Sequence, residues 1–392
     1  MAGAPAIVDG SVFAASIGGV VASLDVRTGH ARWRRCFPTP VYGSGKGARR
    51  LGFFGGVAVA KGRVLAASDR VISLDADTGR TLWETKPLRT STSDDYFWGP
   101  PVVANGLVLV GSGSGAELPT ARGRLSAYSL KDGSLVWSTA TVPPGANGGG
   151  IIAPASVDLR ANLAYVATGS PYRAVPGRNP GTGSLLALHL SDGAIVWSDQ
   201  IYPADRHGFD FNSAPVILGR ILVAASKDGF HAWNRVTRQH IWHRRLTPAL
   251  SKKGGVAGPM NGPEGGPVAT DGRRIYVLSN DAARKQLCRG GSRTGDRPCP
   301  LETTFAGIFV CCPGRRRRSS LPDRRGRNAS WAGYWHWEDR RGCAARRSEH
   351  RCACSSRGTA RSRCRCGALP ARPPTDLYPM KPIGARHRWP EK

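Results

Sequence analysis

Five tryptophans recur through the first two-thirds of the chain at steps of 50, 54, 60 and 45 residues, and each closes the same short phrase. The copies read Leu24-Asp25-Val-Arg-Thr28-Gly29-His-Ala-Arg-Trp33, Leu74-Asp75-Ala-Asp-Thr78-Gly79-Arg-Thr-Leu-Trp83, Tyr128-Ser-Leu-Lys-Asp132-Gly133-Ser-Leu-Val-Trp137, Leu188-His-Leu-Ser-Asp192-Gly193-Ala-Ile-Val-Trp197 and Trp233-Asn-Arg-Val-Thr237-Arg-Gln-His-Ile-Trp242. A period of this size denotes a repeat architecture, because each copy is one supersecondary unit that must stack on its neighbours. Ahead of each phrase lies an apolar, β-branched run broken by a turn, such as residues 6–15, 101–110 and 215–224. Asp-Gly and Asn-Gly in these runs suit type I′ hairpins, which need positive φ at both central residues. With the hairpin inside the phrase, one copy becomes a four-stranded antiparallel meander. Such meanders stack radially into an all-β propeller, and the sequence predicts that the Trp wedges between adjacent blades.

Copies begin near residues 5, 54, 99, 151 and 211, and a sixth opens at 266–279 without completing the phrase. The propeller repeats are therefore expected over residues 1–288, about five blades and part of a sixth, as an incomplete ring. From residue 289 the composition breaks. The last 104 residues hold 24 Lys+Arg against 8 Asp+Glu, and 22 of the 24 are Arg. Nine of the ten cysteines fall from Cys288 onward. Three readings of residues 289–392 compete: a basic nucleic-acid tail, a metal site built on Cys352/Cys354 and Cys364/Cys366, and a low-order segment translated out of frame. The third is preferred. The pairs are C-x-C rather than C-x₂-C, a nucleic-acid arm would mix in Lys, and the change falls in mid-blade. No nucleic-acid partner is expected from the net charge of +29. The chain opens directly in a strand-like run without a secretory leader, contains no stretch long enough for a membrane span, and reads as an interior piece of a larger propeller.

Four motifs in order carry a specific resemblance. They are Gly115-Ala116-Glu117-Leu118 followed by Arg122-Gly123-Arg124, then Gly148-Gly149-Gly150 with Tyr165-Val-Ala-Thr168-Gly169-Ser170, then Asp210-Phe211-Asn-Ser-Ala-Pro215, then Ser226-Lys227-Asp228-Gly229-Phe230. Together with the Asp-x-x-Thr-Gly-x-x-x-Trp phrase, residues 95–280 resemble the quinoprotein alcohol dehydrogenases that use pyrroloquinoline quinone (PQQ), and more the polyvinyl-alcohol-dehydrogenase-like branch than the methanol enzymes. The resemblance implies PQQ and Ca²⁺ as cofactors. It implies Glu117, Arg122, Gly149 and Lys227 at the quinone, Glu117, Ser170 and Asp210 at the metal, and Asp210 as general base. Those residue types suit the chemistry. Ca²⁺ takes oxygen ligands, a carboxylate beside an alcohol can accept its proton, and an ammonium stabilises charge developing on the quinone oxygens.

The departures are equally specific. Ser170 stands where the family has Asn, Ile151, Ile152 and Ala153 occupy the stretch of its stacking Trp, and residues 95–280 hold no cysteine for the family's vicinal disulfide. A second alignment places Gly208 where the base should be. Glu117 also reads as an exposed loop carboxylate, Asp210 as a turn residue, and Lys227-Asp228-Gly229 as an ordinary hairpin. His207 reads as a solvated loop residue, and Gly43-Ser-Gly-Lys46 lacks the spacing of a phosphate loop. The expected function is hydride transfer from a small or polymeric alcohol to the quinone, with onward transfer to an acceptor such as a cytochrome. The chain carries no haem-attachment motif of its own. The family implies a periplasmic or extracellular location. A non-catalytic propeller scaffold or sensor, or a polypeptide without function, are the alternatives.

Overall fold

A computed structural model of the chain describes residues 3–43, 48–90, 93–116, 121–172, 179–203, 205 and 208–245, and the backbone of Ala269–Thr270, Ile275–Leu278 and Ile308–Cys311. The chain divides into a unit of residues 1–318 and a second of residues 319–392, and the latter lies outside the described residues. No helix occurs among the described residues.

Five antiparallel blades follow one another. The first comprises Ala6–Val8, Ser11–Ala15, Val20–Asp25 and Ala31–Cys36, and the second Val57–Ala60, Arg63–Ala67, Val71–Asp75 and Thr81–Glu84. The third contains Val102–Ala104, Leu107–Ser114, Arg124–Ser129 and Leu135–Ala140. Its long second strand also pairs at its far end with Asp95–Phe97. The fourth is Ser156–Asp158, Leu163–Ala167, Ser184–His189 and Ile195–Gln200, and the fifth Val216–Leu218, Ile221–Ser226, Gly229–Asn234 and His240–Arg245. First strands of neighbouring blades touch in the first three blades and again between the fourth and fifth, whereas fourth strands are largely exposed. First strands therefore face the centre and fourth strands the rim, as in a propeller. A sixth hairpin pairs Ala269–Thr270 with Ile275–Leu278, and Ile308–Cys311 joins the latter in parallel. That parallel strand lies where the sequence pattern predicts none.

The turns explain the pattern of the repeats. Asn105 and Gly106, at φ 48° and 76°, form the expected positive-φ hairpin of the third blade. In the phrase itself, Asp25 Oδ1 accepts hydrogen bonds from the Thr28 amide and hydroxyl, and Asp75 does the same with Thr78. The Arg32 guanidinium and the Thr28 amide together hold the Asp25 carboxyl well below the usual carboxylate range.

The core between blades is built on the tryptophans. Trp33 donates to the carbonyl of Ala76 (2.8 Å), Trp83 to Leu130 (3.0 Å) and Trp137 to Leu190 (2.8 Å), each reaching the turn of the next blade. There the ring lies on the glycine of that turn. A Cβ built at Gly79, Gly133 or Gly193 would stand 2.4–2.6 Å from the Trp ring, and all three glycines have positive φ. The turn requires a left-handed residue and the ring requires no side chain, so one glycine meets both demands. Blade five breaks the rule. Arg238 takes the glycine position, with φ 64° and the same backbone bond to a residue four back, Asn234. The facing Trp197 is only half-buried, whereas Trp33, Trp83 and Trp137 are buried. Arg238→Gly is expected to raise stability by about 1 kcal/mol by removing the left-handed strain, read as an upward shift of the denaturation midpoint. An unchanged or lower midpoint would show that the Arg238 bond to the Val196 carbonyl outweighs the strain.

Candidate functional site

The site lies at the far ends of the second strands of successive blades. Leu107–Ser114 runs on to Gly115 and Ala116, Leu163–Ala167 runs on to Thr168-Gly169-Ser170, and Ile221–Ser226 runs into Lys227. The connections entering blades three and five supply Asp94 and Asp210. Repeat geometry thus gathers residues that are far apart in sequence at equivalent positions of adjacent blades.

Ser170, Asp210 and Lys227 come together. Asp210 Oδ1 accepts from the Ser170 amide (2.6 Å) and from the Ser170 hydroxyl, and Oδ2 accepts from Lys227 Nζ at 2.5 Å. Backbone pairing fixes the approach: the Lys227 amide donates to the Asp210 carbonyl, and Phe211 bridges to Ser226. The Lys227 side chain is 8% exposed and the Asp210 side chain 20%, so the ion pair is largely shielded from water. Between the two alignments of this segment, only Asp210 presents a carboxylate. Gly208 sits at φ 70° and donates its amide to Asp205.

Asp205, absent from the motif reading, is buried and caps the same turn. Its carboxylate accepts from the amides of Gly208 (3.0 Å) and Phe209 (2.8 Å), and its Oδ2 lies 2.9 Å from Ser170 Oγ, whose single proton it shares with Asp210. Asp94 is a second addition. Its Oδ2 accepts from the Ser114 hydroxyl and the Ala116 amide (2.7 Å), while its Oδ1 is buried with no hydrogen-bond partner among the described residues. Burial raises the neighbouring Asp95 carboxyl, and the charge of Asp94 adds to the shift. Tyr172 links these groups. Its hydroxyl accepts from the Ser114 amide (2.8 Å) and fills the gap beside Gly113 and Gly150, where a Cβ on either glycine would meet it at 2.6 Å. Burial pushes the Tyr172 phenol upward, and the negative charges of Asp210, Asp94 and Asp95 act in the same direction.

The glycine run packs backbone to backbone against this segment. The Gly149 amide donates to the Ser170 carbonyl (3.3 Å), and the Gly169 amide to Gly150 (2.8 Å). A Cβ on Gly149 would strike Thr141 and Val142 at 2.7 Å. Arg122 is turned elsewhere. It donates to the Val142 carbonyl (2.6 Å) and lines a cleft of about 400 Å³ with Thr141, Pro143, Pro180 and Gly181, and that lining includes neither Asp210 nor Lys227. Ile151 is buried in the core cluster with Leu109 and Leu125. Glu117 and His207 lie outside the described residues.

The donor set fits a hard cation. Oxygens of Ser170, Asp205 and Asp210 converge, an all-oxygen set of the kind that Ca²⁺ takes.

With that geometry in view, comparison with known proteins defines the class. A family model described as outer membrane protein assembly factor BamB matches residues 18–297, and the chain belongs to this family of PQQ-like-repeat β-propellers. Among its relatives are quinohemoprotein alcohol dehydrogenase ADH-IIG of Pseudomonas putida, 26% identical over 64% of this chain and 40% of the relative, and polyvinylalcohol dehydrogenase of a Sphingopyxis species, 24% identical over 74% and 50%. The dehydrogenase subunit of the quinone-type alcohol dehydrogenase of Acetobacter aceti is 30% identical over 58% of this chain and 37% of its own length. The chain thus spans half or less of the length of these relatives. The crystal structure of the Comamonas testosteroni quinohemoprotein alcohol dehydrogenase superposes with a TM-score of 0.59 at 22% identity, over 70% of this chain and 50% of that one, and shares the fold.

Proposed function

We propose that the chain provides the propeller of a PQQ-dependent alcohol dehydrogenase. The observation that carries this reading is the Asp210 carboxylate held between Ser170 and Lys227, with the buried Asp205 carboxylate at the same Ser170 hydroxyl. When bound, the quinone supplies a two-electron acceptor for hydride from the alcohol carbon, and Ca²⁺ supplies a hard Lewis acid. Ser170, Asp205 and Asp210 offer the oxygens that would hold the metal, with Glu117 expected alongside them.

The Ser170 amide and hydroxyl fix the Asp210 carboxylate so that it can accept the proton of an alcohol hydroxyl. Lys227 keeps its ammonium at the same point, where it offsets negative charge developing nearby. The largely dry setting strengthens both effects. The substrate in this reading is a primary or secondary alcohol, and the acceptor is a cytochrome or equivalent carrier. The names of the relatives support those choices: one is a polyvinylalcohol dehydrogenase, and another is a 1-butanol dehydrogenase that names cytochrome c. The compartment proposed with it is periplasmic or extracellular, which fractionation of the host cell tests directly.

The deciding experiment adds PQQ and Ca²⁺ to the full chain and follows quinone absorbance after gel filtration, then dye reduction by a primary alcohol. Retained quinone with alcohol-dependent dye reduction is expected. Protein that emerges free of quinone in saturating Ca²⁺ would sink the reading. It would favour a non-catalytic propeller, for which Ile151 speaks: it is buried in the core where the dehydrogenases are expected to present a stacking ring.

A further inference from the structure

The fifth blade carries a second cluster on its outer strands. His231 and His243 stand directly opposite each other in register, and Trp233 stands opposite His240. Simple alternation would place His240 and His243 on opposite faces of their strand, because their spacing is three. A register shift between Ala232 and Trp233 inserts one extra residue and turns both toward the face that holds His231. Asp228, in the turn joining the second and third strands, points at the same spot. Its carboxylate lies 3.6 Å from His231 Nε2 through Oδ1 and 3.3 Å from His243 Nε2 through Oδ2.

We propose that Asp228, His231 and His243 form a zinc site. First, one ligand atom from each residue lies within 4.8 Å of the others. A tetrahedral ion with bonds of about 2.0–2.1 Å holds its ligand atoms about 3.3–3.4 Å apart, a spacing that Asp228 Oδ2 meets with His243 Nε2 at 3.3 Å, while Oδ1 lies 3.6 Å from His231 Nε2. Second, the donor set of two imidazoles and one carboxylate matches zinc, which takes mixed nitrogen and oxygen ligands. Third, the outer partners are in place. His240 Nε2 lies 3.3 Å from His231 Nδ1 and can fix the ring and its tautomer, as the second nitrogen of a metal-bound imidazole is usually fixed. Ser226 and Tyr202 both donate to Asp228 Oδ1 at 2.5 Å and so orient the carboxylate, and the fourth position is left to water.

One movement is required. The two imidazoles now stack at 4.1 Å with 5° between their planes, so their in-plane lone pairs run parallel. His243 must tilt for both to converge on one ion. It is the ring free to do so, being 31% exposed against 2% for His231.

This site is separate from the Asp210 cluster, although Lys227 and Asp228 are adjacent in the chain. The test is a zinc titration of the full chain against a chromophoric chelator, after alkylation of the cysteines, nine of which lie from Cys288 onward. One equivalent is expected to bind. His243→Ala, at the exposed rim, should leave the melting curve intact and weaken zinc by at least about 10-fold, the loss seen even for outer partners. Asp228→Asn should weaken it likewise, while Asp210→Asn should leave zinc binding unchanged. Cobalt in place of zinc should give the intense visible bands of a tetrahedral ion in the wild type and lose them in His243→Ala. Zinc affinity equal in the wild type and His243→Ala, or binding abolished by alkylation alone, overturns the proposal. Loss of quinone binding with zinc binding retained would strike only the dehydrogenase reading.

Discussion

Asp210→Asn is expected to lower alcohol oxidation by about 10²–10⁴-fold, the usual contribution of a positioned general base. The substitution is close to isosteric, and an amide oxygen can still accept from the Ser170 amide, so the turn should persist. What disappears is the capacity to take a proton and the counter-charge to Lys227, whose side chain is 8% exposed. The change should appear in kcat more than in KM, because the proton is transferred only as the transition state forms. Quinone binding by the variant, measured by retained absorbance, separates a lost base from a lost cofactor. A variant that binds quinone and turns over at the wild-type rate would remove Asp210 from the chemistry.

Trp137→Ala should destabilise the fold by about 3–5 kcal/mol, the range for truncating a buried aromatic. The ring is buried between blades three and four, and its indole N–H is bonded to the Leu190 carbonyl at 2.8 Å. Truncation leaves both a cavity and an unpaired buried carbonyl. Gly193→Ala attacks the same contact from the other side. Its Cβ would stand 2.4 Å from the Trp137 ring on a residue at φ 72°, costing about 2–4 kcal/mol from overpacking and left-handed strain together. The two changes should not add, since the new methyl in Gly193→Ala occupies space that Trp137→Ala vacates. Denaturant midpoints of the two single variants and the double variant measure that coupling. Strict additivity would mean that ring and glycine do not share one contact.

The blades were legible because the turn and the wedge leave marks of different kinds in one phrase. Asp-x-x-Thr-Gly encodes the side-chain caps of Asp25 and Asp75, and the following Trp encodes a contact with a glycine of the next copy, as Trp33 with Gly79, Trp83 with Gly133 and Trp137 with Gly193. Ser170, Asp210 and Lys227 could be picked out singly, and the resemblance grouped them. Their ion pair and shared hydrogen bonds could not be read, because three separate connections converge there. Asp205 left a faint signal, an Asp five residues before Asp210 and followed by Gly208. Asp94 left none, since its role depends on the strand Asp95–Phe97 laying it against Ser114. The histidines of blade five were invisible for a different reason. A spacing of three on a strand points to opposite faces, and only the shifted pairing beside Trp233 cancels that alternation.

The outermost strands at the two ends of the blade series carry a consequence for handling the protein. Ala31–Cys36 exposes Arg32, Arg34 and Arg35, and His240–Arg245 exposes Arg244 and Arg245. A free strand edge invites another chain to zip onto it, and a fringe of cations makes that approach repulsive. Concentrated salt shortens the reach of such repulsion to a few ångströms. Buffers of low ionic strength are therefore the ones in which these edges stay single.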